Sequence, residues 1–396
     1  MSLKDLPIER KKVLVRVDFN VPFDEEGNIS DDTRIRAALP TIQYILEKGA
    51  SVILMSHLGR PKGQKDPTLS LKPCAKRLSE LLDQNVEMAS DCIGKKVEKI
   101  AAALKPKEVL LLENLRFHKA EEKPDTDPSF AKDLAKLSDF YVNDAFGTAH
   151  RAHSSTVSIA QYFQGKSAAG FLLQKEIDFL GTHFSSPKHP FYAIIGGAKV
   201  SSKLSVLQSL LEKVDALFIG GGMAYTFFKA LGQEIGDSLC EDQLLPQAKE
   251  FLETAKRKNI PVFLPKDFVI ANAFSNDAEK KNVLSESPIP KGWQGLDIGP
   301  VTRKQWEGTL KHAQMIFWNG PLGVFEIPAF AKGTHAITRT LADLDAITIV
   351  GGGDSVAAIN SLGLAEKFSH ISTGGGASLE YIQYGHLPGI DAILNI

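Results

Sequence analysis

Cysteine is scarce in this chain, and its arrangement suggests neither a disulfide framework nor a zinc site. The 396 residues include three cysteines, Cys74, Cys92 and Cys240, without CxxC spacing. Scattered thiols of this kind are typical of proteins in a reducing compartment. We therefore assign these cysteines no role and expect the protein to be cytoplasmic.

The sequence also lacks an excess of charge and long apolar runs. Lysine and arginine number 46 against 47 acidic residues, for a net charge of −1. Without a positive excess the chain has no field to hold nucleic acid or an anionic membrane, so any anion site must be local. No apolar run reaches the length of a membrane span, and residues 1–12 contain no apolar signal segment. We expect neither nucleic acid nor membrane as a partner.

Two common nucleotide-binding signatures are missing as well. Neither GxxxxGK[ST] nor GxGxxG occurs in the chain. The second absence argues against a nicotinamide-dependent dehydrogenase, one alternative for a chain with glycine-rich turns. Another alternative, a non-enzymatic two-lobed receptor for phosphorylated metabolites, would be favoured by a secretory signal, which residues 1–12 do not provide.

Short apolar runs recur along the chain, each ending in a polar or glycine-rich turn and followed by a helical pattern. They lie at 13–17, 51–55, 109–112, 140–142, 191–195, 216–219, 262–264, 315–318, 346–350 and 370–372. The helical patterns lie at 41–48, 71–82, 128–137, 203–211, 244–258, 301–314 and 334–342. Apolar strands alternating with helices indicate buried parallel sheets. We predict an α/β fold with two doubly wound, Rossmann-like parallel-sheet domains, because 396 residues exceed one ordinary core.

One stretch divides the chain into halves of different chemistry. Residues 169–184 carry an apolar stripe at helical spacing, which ends at a Ser-Ser-Pro sequence. Eight of the eleven arginines precede it, and all four runs of consecutive glycines follow it. We predict an N-terminal domain at 1–168, a linking hinge helix at 169–184 and a C-terminal domain at 185–386; a plain spacer helix is the alternative.

Polar and charged residues of the first half cluster after its strands. Ligands of open parallel sheets bind beyond the carboxyl ends of the strands, where these residues lie. The set comprises Asp18, Asn20, Arg34, His57, Arg60, Arg116 and Arg151. Converging arginines would hold a small, multiply charged anion such as a phosphorylated acid, although any single arginine could be a surface ion pair. We interpret His150 and His153 as positioning or structural residues.

The glycine runs of the second half suggest a nucleotide site. Lys199 and Lys203 follow the run at 196–197, and a helix start there would place both on one face, toward a phosphoryl group. Asp354, after the run at 351–353, could carry Mg²⁺ or cap a helix. The run at 374–376 offers a helix N-terminus for an anion. The run at 220–222 and the segment 319–326, which ends in Glu326, suggest backbone around a nucleoside.

Together these motifs resemble the phosphoglycerate kinase family, bacterial type, over almost the whole chain. The matching phrases are RVDFNVP (16–22), SHLGRP (56–61), ENLRF (113–117), NDAFGTAHRAHSST (143–156), GGAKVSSK (196–203), WNGPLGVFE (318–326), GGGDS (351–355) and STGGGASLE (372–380). The chain departs from the family pattern at Pro124 and at residues 383–386. Both departures lie outside the matched motifs.

The resemblance implies interconversion of 1,3-bisphosphoglycerate plus MgADP and 3-phosphoglycerate plus MgATP, after closure of the two domains. The implied phosphoglycerate ligands are Asp18, Phe19, Asn20, Arg34, His57, Leu58, Gly59, Arg60, Arg116 and Arg151. The implied nucleotide ligands are Lys199, Lys203, Gly220, Gly221, Gly222, Asn319, Pro321, Glu326, Gly352, Gly353, Asp354 and Ser355, with Asp354 holding Mg²⁺. The family also suggests a monomer whose tail, residues 387–396, packs on the first domain.

The reaction so implied needs no protein nucleophile or general base, because the acceptor is a phosphate oxygen or an ionised carboxylate. This agrees with the absence of a convincing catalytic triad. The protein must align the reactants in line and neutralise charge on the transferred group. We predict that Arg34, Lys203 and the backbone amides at Gly353 and Gly376 do so.

Overall fold

The computed structural model describes residues 2–394 and falls into two compact units. Unit 1 comprises Met1–Phe179 and Tyr384–Ile396, and unit 2 comprises Leu180–Gln383. Met1, Asn395 and Ile396 lie outside the described residues, so the end of the predicted tail does too. The chain passes from unit 1 to unit 2 within the helix Phe171–Ser185.

Unit 1 is built on a six-stranded parallel sheet. Its strands are β1 (Lys12–Arg16), β2 (Ser51–Met55), β3 (Val86–Met88), β4 (Val109–Leu111), β5 (Phe140–Asn143) and β6 (Ser167–Ala169). They lie in the order β3-β4-β2-β1-β5-β6, and every pairing is parallel. From β1 the chain proceeds to β2 on one side of β1, whereas β5 and β6 lie on the other side. The topological switch point, where ligands bind in such sheets, therefore lies between β1 and β5.

Unit 2 contains a second parallel sheet and a small antiparallel one. Its strands are β7 (Phe191–Ile195), β8 (Ala216–Ile219), β9 (Val262–Phe263), β10 (Asp267–Ala271), β11 (Lys280–Leu284), β12 (Gln294–Ile298), β13 (Met315–Asn319), β14 (Ile347–Gly351) and β15 (His370–Ile371). The parallel sheet has the order β15-β14-β13-β7-β8-β9. Its switch point lies between β7 and β13, by the same criterion.

Helices connect the strands in both units. In chain order they are α1 (Thr33–Glu47), α2 (Lys72–Leu82), α3 (Lys95–Ala103), α4 (Lys119–Glu122), α5 (Ser129–Ala135), α6 (Phe171–Ser185), α7 (Leu204–Leu210), α8 (Ala224–Ala230), α9 (Leu245–Arg257), α10 (Pro300–Leu310), α11 (Lys332–Ala342), α12 (Gly353–Ser361), α13 (Gly375–Tyr384) and α14 (Pro388–Leu394). Among residues 2–394, every helix is too short or too polar to cross a membrane. The two doubly wound parallel sheets predicted from the sequence are confirmed.

The start of α1 differs from the prediction. The pattern placed it at residue 41, after a proline, whereas the helix begins at Thr33 and contains Pro40. Proline inside a helix removes a backbone hydrogen bond and usually ends the helix. Here buried Ile35, Ala38 and Ile42 lie on both sides of Pro40, so burial of one apolar stripe offsets that loss.

The antiparallel sheet β11-β10-β12 was not predicted. Its edge strand β11 is almost entirely exposed, so it has no alternation of apolar and polar residues to reveal it. It is held by backbone pairing with β10, for example Val269 opposite Asn282. Strands β3 and β6 were missed because they are not apolar runs: β3 contains the exposed Glu87, and β6 consists of one serine and two alanines.

Each unit has its own apolar core, and the described part of the tail, residues 387–394, belongs to unit 1. Val15, Leu54 and Ile42 are fully buried in the core of unit 1. In unit 2 the fully buried Trp306 and Trp318 belong to the core. Helix α14 lies against β6, and the Gly389 amide donates a hydrogen bond of 2.8 Å to the Ala149 carbonyl.

Candidate functional site

The candidate anion site of unit 1 begins with Arg34, which lies in the first turn of α1. Its Nη1 donates to both carboxylate oxygens of Asp18, at 3.2 Å each, and to the Asn20 carbonyl at 3.0 Å. Asp18 and Asn20 follow β1, so these bonds tie the helix start to the strand end. The Arg34 side chain is 40% exposed, and its remaining guanidinium donors are available to a ligand.

His57 lies in the turn that follows β2 and is a neutral member of this group. Its Nδ1 lies 3.2 Å from Nη2 of Arg16 and 3.9 Å from Oδ1 of Asp18. Burial lowers the pKa of His57 well below 6.5, and the nearby Arg16 and Arg116 guanidinium groups lower it further. His57 can therefore offer a hydrogen bond to a ligand near neutral pH but no charge.

Arg116 is joined to the same turns through Gly59. The Gly59 amide donates to Oδ1 of Asn20 at 2.8 Å, and Nη1 of Arg116 donates to the Gly59 carbonyl at 2.8 Å. Gly59 has a φ of +61°, a conformation that favours glycine. The Nε of Arg116 lies 3.1 Å from Oε1 of Glu122. The turns after β1, β2 and β4 are thus fixed to one another by hydrogen bonds.

Arg60 and Arg151 are the exposed members of the predicted set. Within residues 2–394 neither forms an ion pair with a carboxylate, so the interpretation as surface ion pairs does not apply to them. The Nε of Arg151 donates to His150 at 3.0 Å. Burial, with Arg151 nearby, lowers the pKa of His150 to about 4. Both guanidinium groups can donate hydrogen bonds to an anionic ligand.

A buried layer of charge beneath this site was missed by the sequence analysis. Arg16 and Glu121 are fully buried, with Nη2 and Oε1 3.9 Å apart. Ser155 bridges them: its Oγ accepts from Nε of Arg16 at 2.9 Å and donates to Glu121 at 2.6 Å. Burial raises the pKa of Glu121, opposed by Arg16 and Ser155. A signal existed, because arginine inside an apolar strand must find a buried partner.

Glu121 also lies beside a predicted positioning histidine. Nδ1 of His153 is 3.8 Å from its carboxylate. Burial lowers the pKa of His153 to about 3, and Arg16 and Arg116 add to this effect. The sequence offered no nearby carboxylate for His153, because Glu121 approaches it only through the fold.

Phe19 and Leu58 contribute only backbone at this site, since both side chains are buried in the core. The Phe19 amide donates to Oγ of Ser56 at 2.8 Å. Asn114 accepts from the Leu58 amide at 3.2 Å and donates to the Leu58 carbonyl at 2.7 Å. Ser56 and Asn114, which the sequence analysis did not single out as site residues, therefore hold the two turns.

In unit 2 the predicted glycine turns meet at the switch point of the sheet. The amides of Gly196 and Gly197 donate to the carbonyls of Asn319 at 2.9 Å and Pro321 at 2.8 Å. Nζ of Lys203 donates to Oδ1 of Asn319 at 2.5 Å and to its carbonyl at 3.1 Å. Burial lowers the pKa of Lys203 to about 8, opposed by the charge of Asp354.

The prediction that Lys199 and Lys203 share one face of a helix is wrong. Helix α7 begins at Leu204, so both lysines precede it in a turn, where the Lys203 amide donates to the Val200 carbonyl. The turn leaves Lys199 exposed and directs Lys203 inward. Both still line one cleft.

This glycine-lined cleft has a volume of about 400 Å³. It is lined by Gly197, Ala198, Lys199, Ser202, Lys203, Asn319, Gly320, Pro321, Gly352, Gly353, Asp354, Ser355, Gly375, Gly376 and Leu379. The N-termini of α12 and α13 meet here, since a Cβ on Gly375 would lie 3.1 Å from the Cα of Gly352. Two lysines and two helix N-termini make the cleft suitable for phosphate.

Asp354 and Ser355 have different positions in this cleft. Asp354 is exposed in the first turn of α12, whose cap position is occupied by Gly352, so the interpretation of Asp354 as the helix cap is wrong. Ser355 is fully buried, and its Oγ accepts from the Gly320 amide at 2.7 Å. The carboxylate of Asp354 is therefore accessible to a cation beside the glycine-lined cleft.

An adjoining, mainly apolar cleft of about 360 Å³ suits a flat ring with a polar edge. Its lining includes Gly221, Gly222, Leu239, Phe274, Pro321, Val324 and Glu326. Predicted Gly220 lines neither cleft. A Cβ on it would lie 2.7 Å from a side-chain carbon of Leu322, so its lack of a side chain serves core packing.

Comparison with known proteins agrees with this geometry. The family model described as phosphoglycerate kinase matches residues 3–384. A relative from Moorella thermoacetica named phosphoglycerate kinase is 56% identical, covering 99% of this chain and 98% of the relative. A cytosolic phosphoglycerate kinase from Triticum aestivum is 55% identical, covering 99% and 97%.

Solved structures are similar over the full length. The phosphoglycerate kinase structure from Coxiella burnetii has a TM-score of 0.87 at 40% identity, covering 100% of this chain and 99% of that one. The structure from Pyrococcus horikoshii OT3 has the same TM-score at 34% identity, covering 100% and 98%. Sequence and fold therefore agree from one end of the chain to the other.

Proposed function

The chain belongs to the phosphoglycerate kinase family, and from this premise we infer that it transfers a phosphoryl group between 1,3-bisphosphoglycerate and ADP. The products are 3-phosphoglycerate and ATP, and the reaction is an ATP-generating step of glycolysis. The observation that carries this inference is the match of the family over residues 3–384, which include both candidate sites.

We assign the phosphoglycerate to the anion site of unit 1. Arg34, Arg60 and Arg151 have guanidinium donors available, and a bidentate guanidinium suits carboxylate and phosphate oxygens. Asp18 and Asn20 orient Arg34 and offer acceptors for the substrate hydroxyl. Arg116 completes the positive charge, and neutral His57 supplies a hydrogen bond.

We assign the nucleotide to the two clefts of unit 2. The apolar cleft beside Gly221 and Gly222 receives the adenine ring, and exposed Glu326 at its edge suits the ribose hydroxyls. The phosphates lie against Lys203 and the amides that begin α12 and α13. Lys199, exposed beside the same cleft, adds positive charge.

Asp354 fits the role of a Mg²⁺ ligand. Its carboxylate is exposed, lines both clefts, and accepts no hydrogen bond within the described part of the chain. Mg²⁺ is commonly held by one carboxylate together with substrate phosphates and water. The cation would neutralise phosphate charge, and the role of Asp354 is to hold it beside the cleft.

Catalysis then consists of alignment and charge neutralisation. The acceptor oxygen is already nucleophilic, so no side chain has to remove a proton. Arg34 from unit 1 and Lys203 from unit 2 stabilise charge on the transferred group, with the amides at Gly353 and Gly376. In-line transfer requires contact between the two ligands, so we propose that the units close as both substrates bind, with α6 as the hinge region. We also propose a cytoplasmic monomer.

A coupled assay tests this function. The protein should consume ATP only when 3-phosphoglycerate is added, and chelation of Mg²⁺ should abolish the activity. ATP consumption that does not depend on 3-phosphoglycerate would contradict the assignment.

Replacement of Asp354 by alanine should weaken MgADP binding much more than phosphoglycerate binding. Equal weakening of both in calorimetry would contradict its metal role.

A further inference from the structure

Outside both candidate sites, three side chains of the types that bind transition metals converge in unit 1. The ligand atoms of Asp91, Cys92 and His118 all lie within 4.8 Å of one another. Asp91 and Cys92 follow β3, and His118 directly precedes α4. Nε2 of His118 lies 2.7 Å from Oδ1 of Asp91, to which the Cys92 amide also donates at 2.8 Å. The fold brings the carboxylate and the thiol together with an imidazole that lies 27 residues after Asp91 in sequence.

A positive charge already occupies the outer side of this trio. Nζ of Lys65 lies 2.7 Å from Oδ2 of Asp91, and the Lys65 side chain is 61% exposed. Burial opposes ionisation of Asp91, but hydrogen bonds from His118 and Lys65 hold its pKa well below the usual value. The carboxylate is therefore ionised. An exposed lysine pair contributes little stability, so another cation can displace the ammonium group.

The thiol of Cys92 lies near three acidic side chains. The thiol is fully buried. Burial raises its pKa well above 9, and the negative charges of Asp91, Glu121 and Glu113 raise it further. A coordinating metal ion would deprotonate this thiol and neutralise the thiolate. The side chains of His118 and Asp91 are 27% and 26% exposed, so a cation can reach the trio from solvent on their side.

We propose that Asp91, Cys92 and His118 bind a divalent cation of the zinc class. Sulfur, imidazole and carboxylate are the ligand types of zinc sites, and three protein ligands leave one position for water. On binding, Lys65 moves to solvent, and the thiol proton passes to water. The proton on Nε2 of His118 also passes to solvent, so that the imidazole, with its remaining proton on Nδ1, binds the metal through Nε2. This site is separate from the Mg²⁺ position at Asp354.

Titration of the reduced, metal-free full-length chain with Cd²⁺ tests the proposal. Cd²⁺ takes the same ligands as Zn²⁺, and its thiolate complex has a charge-transfer absorption band in the ultraviolet. One equivalent should saturate the absorption, and Zn²⁺ should then compete for the site. Cys92→Ser should abolish the band, whereas the matched control Cys74→Ser should retain it, because Cys74 is also buried but lies outside the trio.

Two further variants keep the test decisive if Cys92→Ser does not fold. His118→Gln should weaken Zn²⁺ at least roughly tenfold, as loss of a metal ligand or its support does. Lys65→Met should strengthen Zn²⁺ binding, because it removes the competing ammonium group. The absence of a band, a band retained in Cys92→Ser, or Zn²⁺ affinity unchanged in both His118→Gln and Lys65→Met would overturn the proposal.

Discussion

The charge of the Lys203 ammonium group depends on pH near neutrality because the side chain is buried. The side chain lines the glycine-lined cleft, and burial lowers its pKa to about 8. Its positive form predominates below that pH, and the neutral amine predominates above it. The attraction for nucleotide phosphate is therefore present at pH 7 and is progressively lost as the pH rises through 8.

We expect the affinity for MgADP to fall between pH 7 and pH 9 in the wild-type protein, as Lys203 loses its proton. Lys203→Arg should bind with little change over this range, because arginine stays protonated. Calorimetric dissociation constants at both pH values check this expectation. Equal pH dependence in the two proteins would mean that another group controls binding.

Arg34 and Arg36 form a matched pair for testing the anion site. Both lie in the first turn of α1, but Arg36 pairs with Asp32 at 2.8 Å, away from the candidate ligands. If Arg34 stabilises the transferred group, Arg34→Ala should lower kcat by at least about 100-fold. Arg36→Ala should change it little. Steady-state kinetics with 3-phosphoglycerate and MgATP measure both, and near-normal turnover in Arg34→Ala would remove it from this role.

Among the connecting elements, the start of α6 depends on one buried carboxylate. Oδ1 of Asp144 accepts from the amides of Leu172 at 2.9 Å and Leu173 at 3.2 Å. Burial raises the pKa of Asp144 from 3.8 to about 6, although these bonds and Thr41 oppose the shift. The folded state therefore binds this proton more tightly than the unfolded state.

That shift predicts a fall in stability as pH rises. The stabilisation from Asp144 is complete below pH 4 and is lost through pH 6, a change of about 3 kcal/mol for two pKa units. Asp144→Asn lacks this titration. The free energy of urea unfolding should therefore fall relative to the variant between pH 4 and pH 7. Parallel pH curves for the two proteins would exclude this role.

In the glycine turn after β8, neighbouring atoms and the backbone angle both leave no room for a side chain at Gly221. Gly221 has a φ of +68°, and a Cβ there would lie 2.6 Å from the Gly197 nitrogen. Gly363 has a φ of +66° with open space around it. Gly363→Ala should cost only backbone strain, about 1–2 kcal/mol. Gly221→Ala should also displace the 196–197 turn and weaken MgADP roughly tenfold or more, as measured by calorimetry.

Across the whole molecule, each unit has its own sheet, core and candidate anion site. A ligand at 100 times its dissociation constant stabilises the part that binds it by about 2.7 kcal/mol. We expect 3-phosphoglycerate to slow amide exchange mainly in unit 1, and MgADP mainly in unit 2. Hydrogen-exchange mass spectrometry with each ligand alone measures this. Protection of unit 1 by MgADP alone would reverse the assignment.

The alternation of buried strands and helices predicted both parallel sheets, because strands covered on both faces must be apolar throughout. It did not predict the exposed strand β11 or the course of α1 through Pro40. In these places backbone pairing and burial of neighbouring residues override the local pattern. Strand-end placement likewise pointed to Asp18 and His57, since polar residues that follow buried strands lie at one edge of a sheet. Arg34 instead lies in the first turn of α1, and the fold brings it against Asp18.

What the sequence determined by itself is the α/β architecture, the family and the set of strand-end residues, because periodicity, order and local motifs are properties of the chain. Only the tertiary structure decided which partners those residues have. It placed Glu121 against Arg16 and His153, Asn319 on Lys203, and His118 beside Cys92. Burial and proximity between distant segments set these contacts and the resulting pKa shifts, and neither quantity exists before the chain is folded.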